Sequence, residues 1–138
     1  MSMRLEITRR AELAVRALAI LGTTTGRVKG SALASELGTT SAFVSQVVGP
    51  LVKAGWVRSD PGPSGGYIKC VSLDGVSVLE VIEAVDGATD TGRCVVADRA
   101  CSSGALCALH VAWTRARGEL VKILGDMPLS DVTAGMVL

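Results

Sequence analysis

Three cysteines and a histidine crowd the segment GRCVVADRACSSGALCALH, residues 92–110. Six residues separate Cys94 from Cys101, five separate Cys101 from Cys107, and His110 follows three places after the last thiol. Thiolates are the usual holders of iron-sulfur clusters and also good zinc ligands, so sulfur alone leaves both open. Spacing discriminates further: zinc sites gather ligands in tight pairs two to four residues apart, whereas wider gaps suit a loop wrapped over a larger inorganic core. That favours a cluster over zinc. The plain alternative is ordinary reduced thiols, some packed as small apolar groups. Gly92, Gly104, Ser102 and Ser103, with no apolar period before about Ala105, predict a loop able to fold around such a centre.

The elements that must position this loop are set by a chain of 138 residues, enough for one compact domain or two small lobes sharing a core. Hydrophobic residues make up 49% of it, yet no run approaches the ~18 apolar residues of a membrane span. Arg4, Glu6, Arg9 and Arg10 precede the first apolar segment and Glu12 and Arg16 interrupt it, so no signal-peptide core is expected. A cytoplasmic, reducing setting follows, in which disulfides are unexpected and metal or redox roles for cysteine gain weight. Residues 1–60 carry eight Lys/Arg against four Asp/Glu, and residues 61–138 carry six against nine. The N-terminal half is therefore the candidate for phosphate contact.

Apolar Ile7, Leu13, Ala14, Leu18 and Leu21 predict an amphipathic helix over 6–21, capped by Thr8 and closed by Gly22. A second helix, 31–37, ends at Gly38. A third, started by the hydroxyls of Thr39, Thr40 and Ser41, runs through Val44, Val47, Val48 and Leu51, and Pro50 should kink it near Gly49 or restart it. Two short helices joined by a Gly-containing turn are a helix-turn-helix, whose second member can lie in the DNA major groove. Thr40, Ser41, Ser45 and Gln46 would face the bases, Gln being suited to adenine and Ser to base or phosphate.

Strands around 55–58 and 67–73, joined by DPGPSGG, make a hairpin wing. It would bring Arg58, Ser64, Gly65, Gly66 and Tyr67 to phosphates or the minor groove, with Lys29 beside them ahead of the second helix. Cys70, within the second strand, reads as a packed small side chain. A short helix follows at 77–85, and a final turn is expected at 127–132. Leu106, Leu109, Trp113, Ala116, Leu120 and Ile123 alternate gaps of three and four, a coiled-coil-like seam that predicts a homodimer.

The order of these features resembles the winged-helix iron-sulfur regulators of the Rrf2 family. The matching stretches are the opening MRLEITRRAELAVRAL, the LVKAGWV that ends the helix-turn-helix, the wing PGPSGGY, VSVLEVIEAVDG, the three-cysteine loop, and the long helix ending near MPLSDV. Together they cover nearly the whole chain. The resemblance implies a mainly α fold with a small β-hairpin wing: a winged helix-turn-helix over 1–73, then a cluster loop and dimerisation helix over 74–138. It implies a homodimeric repressor on a palindromic double-stranded DNA operator, with an iron-sulfur cluster held by Cys94, Cys101 and Cys107. IscR-like members take the fourth ligand from a histidine at the place of His110, and NsrR-like members from a carboxylate of the partner subunit at the place of Glu12. Both candidates are present. Glu12, a hard oxygen donor leaving one iron labile, is favoured with a 4Fe-4S cluster sensing nitric oxide or redox state; His110 with 2Fe-2S and cluster homeostasis is the alternative. A redox-sensing branch that adds a histidine four residues after the glutamate is disfavoured, since Arg16 stands there.

An enzyme is not expected: no paired acid and base flank the thiols, and no nucleotide loop or Cys-x-x-Cys occurs. A DNA-binding repressor with bare cysteines as a thiol switch, and a structural zinc site, stay open as rivals.

Overall fold

A computed structural model describes residues 7–89 and 108–135 of the chain, with side chains to 132. Within these residues lie six α-helices, a two-stranded antiparallel sheet and one 3-10 turn: α1 Arg9–Thr23, α2 Gly30–Leu37, α3 Ser41–Lys53, β1 Val57–Asp60, β2 Gly66–Lys69, the turn Leu73–Gly75, α4 Val78–Asp86, α5 His110–Gly125 and α6 Leu129–Gly135. No helix among them is long and apolar enough to cross a membrane.

Local chemistry explains the boundaries. The Thr8 hydroxyl accepts from the Ala11 amide at 3.1 Å and starts α1. The helix runs past Gly22 to Thr23, contrary to expectation. The Thr23 and Thr24 hydroxyls satisfy the Ile20 carbonyl at 3.0 and 2.9 Å, and the left-handed glycine comes later, at Gly26. Gly38 ends α2 in the left-handed conformation and Thr40 caps α3 through the Phe43 amide. Pro50 neither ends nor restarts α3, which continues as one helix to Lys53. Its proline removes one backbone bond, and burial of Val47, Val48 and Leu51 around it outweighs that local cost.

One hydrophobic cluster unites α1, α2, α3, β1 and α4 with Leu129 of α6, so the core runs continuously across residues 73 and 74. α1 lies at its centre, against α2, α3, α4, α6 and β2. Amide bonds from Val78 to the Met127 carbonyl and from Leu129 to the Val76 carbonyl, both 2.9 Å, join the start of α4 to the segment that leads from α5 into α6.

Candidate nucleic-acid interface

α2 and α3 form the helix-turn-helix, and burial assigns the faces of α3. Val44, Val47, Val48 and Leu51 are fully buried, so Ser41, Ser45 and Gln46 are turned outward with the cap residue Thr40, all four exposed. The 3.6-residue period produces this division: the apolar residues pack against α1 and α2, and the hydroxyls and amide are left at the surface.

The wing pairs Val57 with Lys69, Arg58 with Ile68, Ser59 with Tyr67 and Asp60 with Gly66. A further bridge joins Tyr67 to Val28, with amide bonds of 2.8 and 2.9 Å in both directions, so the segment entering α2 is stitched to the sheet edge. Buried Val28 lies between exposed Arg27 and exposed Lys29. Arg58 and Ser64 are also exposed, and Tyr67 is half-buried.

Gly65 and Gly66 have a packing reason for being glycine. A Cβ at Gly65 would lie 2.0 Å from the Asp60 carbonyl oxygen; at Gly66, with φ +144, it would lie 2.6 Å from that of Val28. Gly65 is buried, so its side-chain-free backbone serves the turn itself. Cys70 corrects the sequence expectation: it lies just past β2, its amide bonded to the Trp56 carbonyl at 2.7 Å, and is exposed rather than packed.

Sequence reasoning passed over Arg27 and Asp60. The Arg27 Nε donates to Asp60 Oδ2 at 2.6 Å, and the Arg58 Nη2 donates to the same oxygen at 3.4 Å. The Arg27 hydrogen bond holds the Asp60 carboxyl below the ordinary aspartate range; partial burial opposes this and the Arg58 charge assists it. The signal that could have found the cluster is the alternation Arg27-Val28-Lys29, a short strand-like register ahead of α2.

On α1, Glu12 Oε1 meets Arg16 Nη1 one helical turn on at 3.4 Å, with the Glu12 side chain 33% exposed. The Arg16 Nε is buried and has no hydrogen-bond partner among the described residues. The start of α1 is tied to the end of α4: Arg10 donates to the Val85 carbonyl at 2.7 Å and the Thr8 hydroxyl to the Asp86 carboxylate at 2.8 Å. His110 is the first residue of α5 and half-buried. Of the seam, Leu109, Ala116, Leu120 and Ile123 are exposed and Trp113 is half-buried. Cys94, Cys101, Cys107 and Leu106 lie outside the described residues.

The family model for the iron-dependent transcriptional regulators, Rrf2, matches residues 7–135. An HTH-type transcriptional regulator of Azotobacter vinelandii is 31% identical over 79% of this chain and 66% of its own length. The regulator IscR of Enterobacter is 29% identical over 93% of this chain and 79% of its own. Among solved structures, CymR of B. subtilis, a global cysteine regulator, superposes with a TM-score of 0.75 at 20% identity, over 95% of this chain and 98% of its own. IscR of T. potens gives 0.71 at 21%, over 97% and 93%. These likenesses extend the winged-helix architecture over both chains. The chain belongs to the Rrf2 family of iron-dependent transcriptional regulators and is a regulator, not an enzyme.

Proposed function

We propose that the chain is a homodimeric, cytoplasmic DNA-binding repressor, acting on a palindromic operator, whose DNA affinity is set by an iron-sulfur cluster responsive to nitric oxide or redox state. The observation that carries the reading is α3: its apolar rows are fully buried while Ser41, Ser45 and Gln46 are exposed beside a basic wing. Two such helices, one per copy, would address half-sites about one helical turn, ~34 Å, apart. The apolar seam on α5 is the surface through which a second copy would pair.

Cys94, Cys101 and Cys107 with Glu12 of the partner subunit would hold the cluster. Three thiolates and a carboxylate suit iron, and Glu12 fits the role: its side chain is partly exposed, and its part-buried contact with Arg16, at 3.4 Å, is long for an ion-paired hydrogen bond. When bound, a 4Fe-4S cluster supplies a carboxylate-ligated iron open to nitric oxide or oxygen. The protein's own part is mechanical. Glu12 stands on α1, which packs on α3 and is clamped to the end of α4 by Arg10 and Thr8. Ligation at Glu12 would bias the placement of the recognition helices, and a difference in DNA affinity between the two states follows only from that bias.

Two alternatives have support of their own. IscR relatives favour His110 as fourth ligand, with a 2Fe-2S centre and iron-sulfur homeostasis as the output. The fold likeness to CymR, including an oxidized form from Staphylococcus aureus at a TM-score of 0.74, favours a cluster-free thiol switch. An anaerobic absorption spectrum with iron, sulfide and zinc analysis separates the three. A broad band near ~400 nm with matched iron and sulfide marks 4Fe-4S, structured bands at longer wavelength mark 2Fe-2S, and a protein still colourless after reconstitution refutes both clusters. Cys101→Ala should stay a folded dimer and lose cluster-dependent DNA binding; wild-type affinity and signal response in that variant would refute the coupling.

A further inference from the structure

At the base of the wing one carboxylate oxygen, Asp60 Oδ2, is shared by two guanidinium groups, Arg27 at 2.6 Å and Arg58 at 3.4 Å. The backbones carrying them are fixed relative to one another, Arg58 and Asp60 by pairing with β2 and Arg27 by the Val28–Tyr67 bridge to the same strand. Both cations are thereby brought to one carboxylate oxygen. Each guanidinium has five donors, and the arginine side chains are 47% and 58% exposed against 29% for the aspartate between them. Donors beyond those on Asp60 remain for a second anion. A carboxylate oxygen bridging two arginines is chemically close to a phosphodiester oxygen, and arginine forks bind both.

We propose that Arg27 and Arg58 are a phosphodiester-binding pair for the DNA backbone, and that Asp60 occupies this pair in the free protein as an internal counter-charge restraining sequence-independent affinity. The inference rests on the DNA-binding reading and deepens it. Non-specific affinity comes from neutralising phosphates with available cations. Asp60 cancels one of the two positive charges and repels an approaching phosphate, while the base-facing groups of α3 are unaffected. The ratio of specific to non-specific binding rises accordingly, an effect obtained by weakening the wrong complex.

The test uses the full chain and a random-sequence DNA duplex, titrated by fluorescence anisotropy across a salt series. Asp60→Asn keeps the shape and removes the charge. It should bind about three- to fivefold tighter at low salt, the gain fading as salt screens it. Its log-log salt slope should steepen by up to about 0.9, one further phosphate. Adding Arg27→Gln and Arg58→Gln to Asp60→Asn should erase the gain. In the wild-type background each arginine variant should weaken binding and flatten the slope, a result that does not depend on Asp60→Asn folding well. Unchanged or weaker binding by a folded Asp60→Asn protein, a gain that survives loss of both arginines, or arginine variants with wild-type slopes would each overturn the inference while leaving the DNA-binding reading in place. Failure of the wild-type chain to bind any duplex at low salt would overturn the DNA-binding reading itself, and the inference with it.

Discussion

α1 and α5 are nearly equal in length, 15 and 16 residues, and opposite in what they bury. α1 sinks eight residues into the core and touches five other elements, whereas α5 buries none and packs along α4, leaving Leu109, Val111, Leu120 and Ile123 exposed. α1 is completed within one copy of the chain. α5 carries its apolar seam to the surface, where burial in the proposed dimer would stabilise it by roughly 25 cal/mol for each Å² covered. The regulator reading thus divides the chain physically: the core around α1 makes the DNA-facing scaffold rigid, and α5 holds unspent apolar surface for a second copy.

The largest expected effect tests that division directly. Leu18→Ala, at a fully buried position of α1, should cost about 2–5 kcal/mol of unfolding free energy. Ile123→Ala, at a side chain 61% exposed, should change the stability of a single copy by no more than ~0.5 kcal/mol yet weaken self-association. Denaturant unfolding at several protein concentrations separates the two. Equal, concentration-independent losses would erase the contrast between the helices.

Next in size is the wing. Gly66→Ala places a Cβ against the Val28 carbonyl oxygen at a φ that L side chains rarely adopt, and the atoms it meets are all backbone of Val28 and Lys29, which leaves little room to yield. A loss of about 1–3 kcal/mol is expected, with weaker DNA binding and an unchanged monomer–dimer equilibrium by analytical ultracentrifugation. A shift in that equilibrium would mean that wing and α5 are not separable.

What the sequence disclosed follows the same line. Short-range chemistry was legible: the Thr8 and Thr40 caps, the Gly38 stop, the apolar rows of α3 and the glycine-tipped hairpin each depend on residues within a few positions of one another. Where long-range packing decides, local rules misled. α1 overran Gly22, which sits against the Leu73 side chain where a Cβ would collide, α3 absorbed Pro50 because the surrounding side chains are buried, and Cys70, just past β2, is left exposed. The cluster of Arg27, Arg58 and Asp60 joins positions 33 residues apart and left only the faint Arg-Val-Lys alternation. The cysteine motif was the strongest signal in the chain, and its ligand set remains a reading from sequence.

A smaller effect sharpens how α4 is held between the two regions. Ser77 caps α4 by accepting from the Glu80 amide at 3.1 Å, while Glu80 accepts from the Ser77 amide at 3.2 Å. Ser77→Ala breaks this reciprocal box and should cost about 1 kcal/mol. Because α4 touches both α1 and α5, its loosening should raise amide exchange at the starts of both α4 and α6, which share the bridge between Ser77 and Pro128. Exchange confined to α4 would show that the bridge transmits nothing.

The smallest effect concerns acid, and the two tryptophans divide the molecule conveniently for reading it, Trp56 beside the wing and Trp113 on α5. The Asp60 carboxyl is held below its ordinary range chiefly by the Arg27 hydrogen bond. A depressed carboxyl adds stability that is present above its unfolded pKa, about 3.9, and lost as pH falls through the lower folded value. Its exposure to solvent keeps that contribution small. In a Trp113→Phe background, the Trp56 signal should therefore show a wing that loosens only below about pH 4, and Asp60→Asn should remove that acid step. In a Trp56→Phe background, Trp113 should not register it. An acid step of equal size at both tryptophans, surviving Asp60→Asn, would assign the transition to the shared core and leave the wing with no titration of its own.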